Sequence, residues 1–371
     1  MTEALIHNAL IHNETLGRLI RSGGWAELAE GTPCLIRRAV EAEDNKTISG
    51  LAEFFCQEMQ VVYNIYDQWF GDTRQCLLDK GMSLQKLDSE HQLIREKLKP
   101  YHASALKPRQ TVWDDVGAHL KRLVNTELTI KQRLEALDLT VETWRDLHDC
   151  EVDQISGLFN LVMENHGELA LKDMYENWVI GDWFAKRYQR FDVSKISWET
   201  ASWLLIYLGF EGHHGHISGS ERDGTIDYEE DDEKVTISFA PCGSGGRVMQ
   251  GEARDGMPAL SEAPFNWPEL SGAHDFTWNE TGICAYCAHC CILHEKLPVA
   301  SFGYPVRITT PPKAPLTAES RCSWTVYKDL RNIPEEAYTR VGGVKPPADA
   351  PLGSAGRAKR EAMISEAAKN A

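Results

Sequence analysis

Four of the ten cysteines in this 371-residue chain lie within eight residues, in the sequence GICAYCAHCC at positions 282–291. Cys284, Cys287 and Cys290 have the spacing C-x2-C-x2-C, and Cys291 follows directly. Zinc sites usually take two cysteines from one such knuckle and two ligands from a distant segment. Three cysteines in one run are more typical of an iron–sulfur loop, although here the fourth cysteine follows without a spacer and no Cys-Pro pair is present. The run therefore predicts a metal centre, with a 4Fe-4S cluster as the first expectation and zinc as the alternative.

A second segment offers a distant ligand to the same centre. Cys242 stands in ISFAPCGSGGR, where a predicted strand should end. The alternative for this residue is a buried cysteine that closes a strand before a glycine turn. Either Cys291 or His289 could complete the site in place of Cys290. The predicted metal ligands are Cys242, Cys284, Cys287 and Cys290.

Three glycines and an arginine follow Cys242 directly. Glycines at such a position let the backbone approach a bulky group and present N–H donors to sulfide or to an anion. The pattern is neither a Walker loop nor a dinucleotide fingerprint. Arg307, farther along the chain, is a further candidate for contact with an anion. The predicted contacts to a cofactor or an anionic substrate in this loop are Gly243, Gly245, Gly246 and Arg247.

Histidines flank the cysteines on both sides. In EGHHGHISG, at 211–219, His214 and His216 would share one face of an extended strand, which is a spacing that metal pairs use. His294 and Glu295 follow the cysteine run, and such a pair can act as general acid and base beside a metal-bound water. The zincin pattern H-E-x-x-H is absent. We predict these four residues as catalytic; the alternative is a polar loop whose histidines are solvated or bonded to backbone.

Composition narrows the classes of partner. A formal charge of −16 argues against nucleic acid or an anionic membrane. The longest apolar run, at 203–210, is much shorter than the ~20 residues of a membrane span, and the N-terminus lacks the features of a secretory signal. We therefore expect a cytoplasmic protein with a small-molecule substrate. In a reducing compartment, clustered cysteines favour metal ligation or reactive thiols over disulfides.

The elements that must position these residues change character near residue 210. Residues 1–210 show apolar residues at spacings of three and four, as in 51–70, which predicts helices. Such stripes are typical of a helical scaffold or of a dimerisation surface, so a homo-oligomer through this region is a further expectation. Beyond 210 we predict a hairpin with strands at 225–228 and 235–239, an edge strand leading into the proline-rich loop of FGYPVRITTPPKAP, and a strand in CSWTVYK. Residues 247–278 should be irregular.

Together these patterns predict an α+β fold with a helical region at 1–210, a β-containing metal-site region at 211–341, and a flexible tail or short polar helix at 342–371. The leading expectation for function is a cytosolic metalloenzyme acting on a small anionic molecule. An open iron site would suit hydration or elimination, a fully ligated cluster electron transfer, and zinc hydrolysis. The alternative is a non-enzymatic interaction protein with a structural zinc. A closed four-cysteine shell would favour that alternative, and histidines converging on a pocket would favour the enzyme.

Overall fold

The computed structural model describes residues 9–312, 316 and 320–370. The predicted α+β architecture is confirmed, because long helices dominate the chain up to residue 215 and a small antiparallel sheet follows. The proline-rich loop predicted after the edge strand falls partly outside the described residues, at 313–315.

The first described segment is a hairpin and not the predicted helix. Strands β1 (Leu10–Asn13) and β2 (Arg18–Arg21) pair antiparallel. The Asn13 side chain accepts a hydrogen bond from the Leu16 N–H at 2.9 Å, and Gly17 adopts a positive φ of 63°. Asparagine and glycine at these positions favour a tight turn over a continuing helix.

Helices follow this hairpin as far as the first strand of the sheet. The last of these helices carries part of the candidate site. They are α1 (Trp25–Ala29), α2 (Thr32–Glu41), α3 (Asn45–Asp79), α4 (Leu84–Leu98), α5 (Arg109–Leu123), α6 (Ile130–His166), α7 (Glu168–Met174), α8 (Gly181–Arg187) and α9 (Trp198–Gly215). A π-helical turn at Tyr175–Val179 and a 3-10 turn at Tyr188–Phe191 flank α8.

Helices α3 and α6 form the long scaffold of this region. The Asp44 side chain caps α3 by accepting from Thr47 N–H, and Thr129 with Gln132 forms a capping box at the start of α6. Helix α9 packs against α3 at Gly215, where an added Cβ would lie 2.7 Å from the carbonyl oxygen of Glu58. Glycine is therefore required there for the close approach of two helices, and not for a turn.

Helix α9 extends five residues past the boundary at 210. His213 and His214 consequently lie in its last turn, and His216 is its C-terminal cap, with φ −79° and ψ 0°. The prediction that His214 and His216 share a face of an extended strand is therefore wrong. The local signal misled because the closely spaced glycines after 210 indicated irregular structure, whereas burial against α3 keeps the segment helical.

The sheet contains strands β3 (Asp227–Glu230), β4 (Lys234–Phe239), β5 (Ile308–Thr310) and β6 (Cys322–Tyr327), in the order β3-β4-β6-β5. The predicted hairpin is confirmed as β3 and β4, and the strand in CSWTVYK as β6. The predicted edge strand is confirmed as β5, which pairs with β6 alone among the described strands. In the β4–β6 pair, Phe239 lies opposite Cys322.

Short helices connect and follow these strands. They are α10 (Gly245–Gln250), α11 (Ala288–Cys291), α12 (Leu297–Phe302), α13 (Glu336–Thr339) and α14 (Arg357–Asn370), with a π-helical turn at Ile292–Lys296 and 3-10 turns at Leu330–Asn332 and Ser354–Gly356. After α10 the chain up to residue 278 is largely irregular, as predicted. Across the described part of the chain, no helix is both long enough and apolar enough to cross a membrane.

Candidate functional site

A pocket of about 220 Å³ lies between α3, the turns around α8, α9 and the cysteine-rich segment. Four histidines line it, together with Cys242, Cys290 and the buried Arg307. The histidines come from α9 and its cap (His213, His216) and from α11 and the π-helical turn after it (His289, His294). The predicted catalytic residues His216 and His294 are thus brought together, although 78 positions of sequence separate them.

Each of these four imidazoles is held through its Nδ1 atom. The pairs are His213 with the Ser218 hydroxyl (2.8 Å), His216 with Nε2 of His148 (3.0 Å), His289 with the Tyr286 carbonyl oxygen (2.6 Å) and His294 with the Tyr188 hydroxyl (2.7 Å). A partner at Nδ1 fixes the orientation of an imidazole and leaves Nε2 for a proton, a metal or a ligand. The Nε2 atom of His213 has no hydrogen-bond partner among the described residues.

Burial keeps these imidazoles neutral. Loss of solvation lowers the pKa of His213, His216 and His294 well below the usual value, and it lowers the pKa of His289 to about 4. The positive charge of Arg307 further lowers the pKa of His213 and His294. At neutral pH the pocket therefore offers uncharged nitrogen bases beside a fixed cation.

His214 lies outside this group. Its Nδ1 atom is 2.8 Å from Oε1 of Glu58, and the Arg21 guanidinium is 3.4 Å from the same nitrogen. Residues three apart share a helix face, whereas neighbours point about 100° apart. The helix therefore places His213, and not His214, on the side of His216.

Glu295 is separated from His294 in the same way. Its carboxylate accepts hydrogen bonds from the Trp278 indole (2.7 Å) and the Thr309 N–H (2.8 Å), and it forms an ion pair with Arg340 at 2.6 Å. The carboxylate is fully buried and does not line the pocket. The structure therefore places the two members of the predicted acid–base pair in different environments.

Behind the pocket wall lies a second, very small cavity of about 20 Å³, the thiol cavity, with four cysteines in its lining. Its cysteines are Cys242, Cys287, Cys290 and Cys322. Cys242 follows β4 by three residues, and Cys322 opens β6 opposite Phe239 of β4. Strand pairing therefore brings Cys322 to the same place, and no local sequence signal distinguishes it from a packed cysteine on a strand.

The remaining cysteines of the run, Cys284 and Cys291, do not line this cavity. The Cys284 thiol interacts with that of Cys287, and Cys284 lines a different cavity beside Trp267. The Cys291 thiol lies 3.6 Å from the carbonyl oxygen of Asp275. Three of the four predicted ligands, Cys242, Cys287 and Cys290, thus line the thiol cavity together with Cys322.

The thiols are not arranged as a ready coordination shell. Within residues 9–312, 316 and 320–370, no group of three or more His, Cys, Asp or Glu side chains could hold a metal ion in its present arrangement. Burial raises the pKa of Cys290 and Cys322 well above the usual thiol value, and the hydrogen bond with Cys284, reinforced by burial, does the same for Cys287. All three are therefore protonated thiols in this structure.

The glycine loop packs against the chain itself. An added Cβ at Gly243 would overlap the His216 carbonyl oxygen, and one at Gly245 would lie 2.5 Å from the Cys287 sulfur. At Gly246 the nearest atom would be Cβ of Cys242, at 3.2 Å. The structure thus uses these glycines to bring the 242–246 loop close to the histidine cap and the thiol cavity.

Arg247 is likewise occupied by the protein. Its fully buried guanidinium forms an ion pair with Asp153 and lies 3.5 Å from Oδ1 of Asp149. Arg307, by contrast, lines the pocket; it lies 4.6 Å from the ring centre of Trp324 and donates a hydrogen bond to the Leu205 carbonyl oxygen. Its Nε atom has no partner in the described part of the chain.

Two exposed arginines, Arg187 and Arg190, line the same pocket at its solvent side. Partial burial lowers the pKa of Arg190, and repulsion from the charges of Arg187 and then Arg18 lowers it further. A mouth rich in arginine is notable in a chain with a formal charge of −16. Glu58 and Glu211 line the same pocket, and Glu211 pairs with Arg18 at 2.5 Å, so the lining carries ionisable groups of both signs.

Sequence reasoning missed several residues that support the pocket. Tyr66 and His148 contact His216 from the long helices, and Cys322 completes the thiol cavity.

Comparison with known proteins finds no matching family model, no similar curated protein and no similar solved structure.

Proposed function

We propose that this chain is a metal-dependent enzyme that acts on a small anionic molecule in the histidine-lined pocket. The observation that carries the proposal is the shared wall: Cys242 and Cys290 line both the pocket and the thiol cavity behind it. A metal held by the thiols would therefore face the pocket, where neutral imidazoles and Arg307 are available.

The donor chemistry supports a soft metal. Four cysteines from three segments contribute to the lining of the cavity, and thiolates favour zinc or an iron–sulfur cluster. Coordination requires the thiols to lose their protons and to turn toward a common centre, so binding would release protons and tie the three segments together. Zinc would supply Lewis-acid chemistry there; an iron–sulfur cluster would supply electron transfer or, with an open iron, hydration and elimination.

The pocket supplies the remaining parts. Arg307 is a buried cation at the wall, and the exposed arginines near the mouth would draw an anion inward. His216 and His294 can exchange protons with a bound molecule because both are neutral and held by Nδ1. A volume of about 220 Å³ is below the ~300 Å³ of pockets for drug-sized ligands, which suits a small substrate.

We also propose a cytoplasmic, reducing setting, since all ten cysteines are free thiols. The interaction-protein alternative would need a thiol shell that is closed off from any cavity. The pocket on the other side of Cys242 and Cys290 is the feature that favours the enzyme.

The test is metal and sulfide analysis of protein purified without oxygen, with an absorption spectrum. The wild type should carry stoichiometric zinc, or iron with sulfide, and Cys287→Ser and Cys322→Ser should each lose it. Cys291→Ser is the matched control, because it is adjacent to Cys290 but faces the Asp275 carbonyl, and it should keep the metal. A wild type without metal, or a Cys322→Ser variant with its full content, would overturn the proposal.

A further inference from the structure

Two imidazole rings and one tyrosine hydroxyl group lie close together behind the pocket wall. Nδ1 of His216 lies 3.0 Å from Nε2 of His148 and 3.0 Å from the Tyr66 hydroxyl, and the last two are 3.1 Å apart. The Tyr286 hydroxyl donates to that of Tyr66 at 3.3 Å. Of these residues, Tyr66 comes from α3, His148 from α6 and His216 from the cap of α9, so the three longest of the described helices converge on this point.

The hydrogen-bond partner of Nδ1 determines which nitrogen of the His148 ring carries hydrogen. Its Nδ1 atom lies 2.7 Å from Oδ1 of Asp149. Asp149 also forms an ion pair with Arg222 at 2.8 Å and lies 3.5 Å from Arg247, and despite its burial these two charges hold the pKa of the carboxyl well below its usual value. An ionised carboxylate only accepts hydrogen bonds, so Nδ1 of His148 must carry hydrogen.

The tautomer of His148 determines the tautomer of His216. Burial lowers the pKa of His148, so the ring is neutral and its Nε2 atom presents a lone pair. The facing Nδ1 of His216 must then be the donor, because two lone pairs at 3.0 Å would repel each other. With hydrogen on Nδ1, the neutral His216 ring carries its free lone pair on Nε2.

We propose that Asp149 and His148 are positioning residues that hold His216 as the proton acceptor of the pocket. The inference deepens the proposed function, since it assigns the first proton transfer to removal of a proton from the bound molecule by Nε2 of His216. The arrangement follows the general logic of a base that is oriented by a second group, which a carboxylate orients in turn. When His216 gains a proton, His148 keeps accepting from Nδ1 and Asp149 offsets part of the new charge.

The pocket contains no equally determined base among its other described histidines. The Nδ1 partners of His213 and His294 are hydroxyl groups, which can donate or accept and therefore leave the tautomer open. His289 has a defined tautomer, since its Nδ1 must donate to the Tyr286 carbonyl oxygen. Its Nε2 atom, however, lies 3.3 Å from the Cys290 thiol and is therefore already engaged.

The test is the tautomer of His216, read from ¹⁵N NMR of the ring nitrogens in full-length protein grown with labelled histidine in iron-depleted, zinc-supplemented medium. His216→Asn identifies the signal. In the wild type, His216 should carry hydrogen on Nδ1. In His148→Phe the acceptor is gone. The Tyr66 hydroxyl already accepts from Tyr286 and should then donate its own hydrogen to Nδ1 of His216, which moves the ring hydrogen to Nε2.

Tyr66→Phe separates this role from simple packing and serves if His148→Phe does not fold. It removes one hydroxyl and leaves His148 in place, so the Nδ1–H tautomer should remain. His91→Phe, which removes a histidine bonded to Gln154 away from this pocket, should also leave it unchanged. A wild-type His216 with hydrogen on Nε2, or a tautomer that changes in Tyr66→Phe, would overturn the inference whatever the metal analysis shows.

Discussion

Glu295 and Arg340 form an ion pair with 2.6 Å between Oε2 and Nη2, and the Glu295 side chain is completely buried while that of Arg340 is 18% exposed. Glu295 follows His294 in the sequence, but its carboxylate connects the π-helical turn to the Thr309 backbone and to the segment after α13. Its contacts are those of a structural group, and this has a measurable consequence.

Glu295→Gln should destabilise the protein by about 3 kcal/mol, because it removes the charge that compensates Arg340 and weakens the hydrogen bonds from Trp278, Thr309 and Arg340. Urea unfolding measures the loss. Glu262→Gln, at an exposed carboxylate, is the control and should change the free energy of unfolding by less than ~0.5 kcal/mol. A Glu295→Gln variant as stable as this control would restore the possibility of a catalytic carboxylate there.

Arg247→Met should cost about 3–5 kcal/mol of unfolding free energy, since it leaves the buried Asp149 and Asp153 without a shared counter-charge. An anion-binding arginine would instead be dispensable for stability. Arg254→Met is the matched comparison: its side chain is 52% exposed and pairs with the partly exposed Glu142, so about 0–1 kcal/mol is expected. Equal effects of the two substitutions in thermal and urea unfolding would contradict the assignment of Arg247 to the core.

Gly245→Ala should destabilise the protein by about 1–3 kcal/mol, because the new methyl group would lie 2.5 Å from the Cys287 sulfur. In an ordinary helix the same substitution stabilises by roughly 0.5–1 kcal/mol. Gly71→Ala in α3 provides that comparison, since, apart from the adjacent residues and the backbone of the same helix, no described atom lies within 4 Å of the place that its methyl group would occupy. Opposite signs for the two variants are expected in chemical unfolding, and stabilisation by both would show that the thiol cavity is looser than its atoms indicate.

His102 should make stability depend on pH in the alkaline range. Burial opposes its charge, but the Asp153 carboxylate at 2.7 Å and the Asp146 carboxylate at 3.6 Å outweigh burial and raise the pKa of His102 to about 9. A raised folded-state pKa gives stabilisation that is complete below the unfolded value of about 6.5 and is lost as pH rises through 9, here about 3 kcal/mol. Unfolding free energies at pH 6 and pH 9.5 should therefore fall more for the wild type than for His102→Asn, and parallel losses would refute the charged pair.

Local patterns determined much of this protein. Alternating apolar residues and a charged turn specified the β3–β4 hairpin, and the strand in CSWTVYK was readable for the same reason, because each side chain's face follows from spacing alone. The C-x2-C-x2-C spacing likewise marked the segment that supplies two of the four thiols at the cavity.

Only the tertiary structure decided which groups meet. The pairing of Phe239 with Cys322 joins residues 83 positions apart, and the residues between them contain nothing that announces it. Packing also decided the conformation around His213 and His216. The glycine-rich sequence there suggests irregular structure, but α3 packs against Gly215 and the segment remains helical. Periodicity reports which face of an element is buried, but the partner across that face is selected by packing and hydrogen bonding between distant segments. As a result of this packing, Arg247 and Glu295 are buried in the core, whereas His216, Cys242 and Cys290 line a pocket.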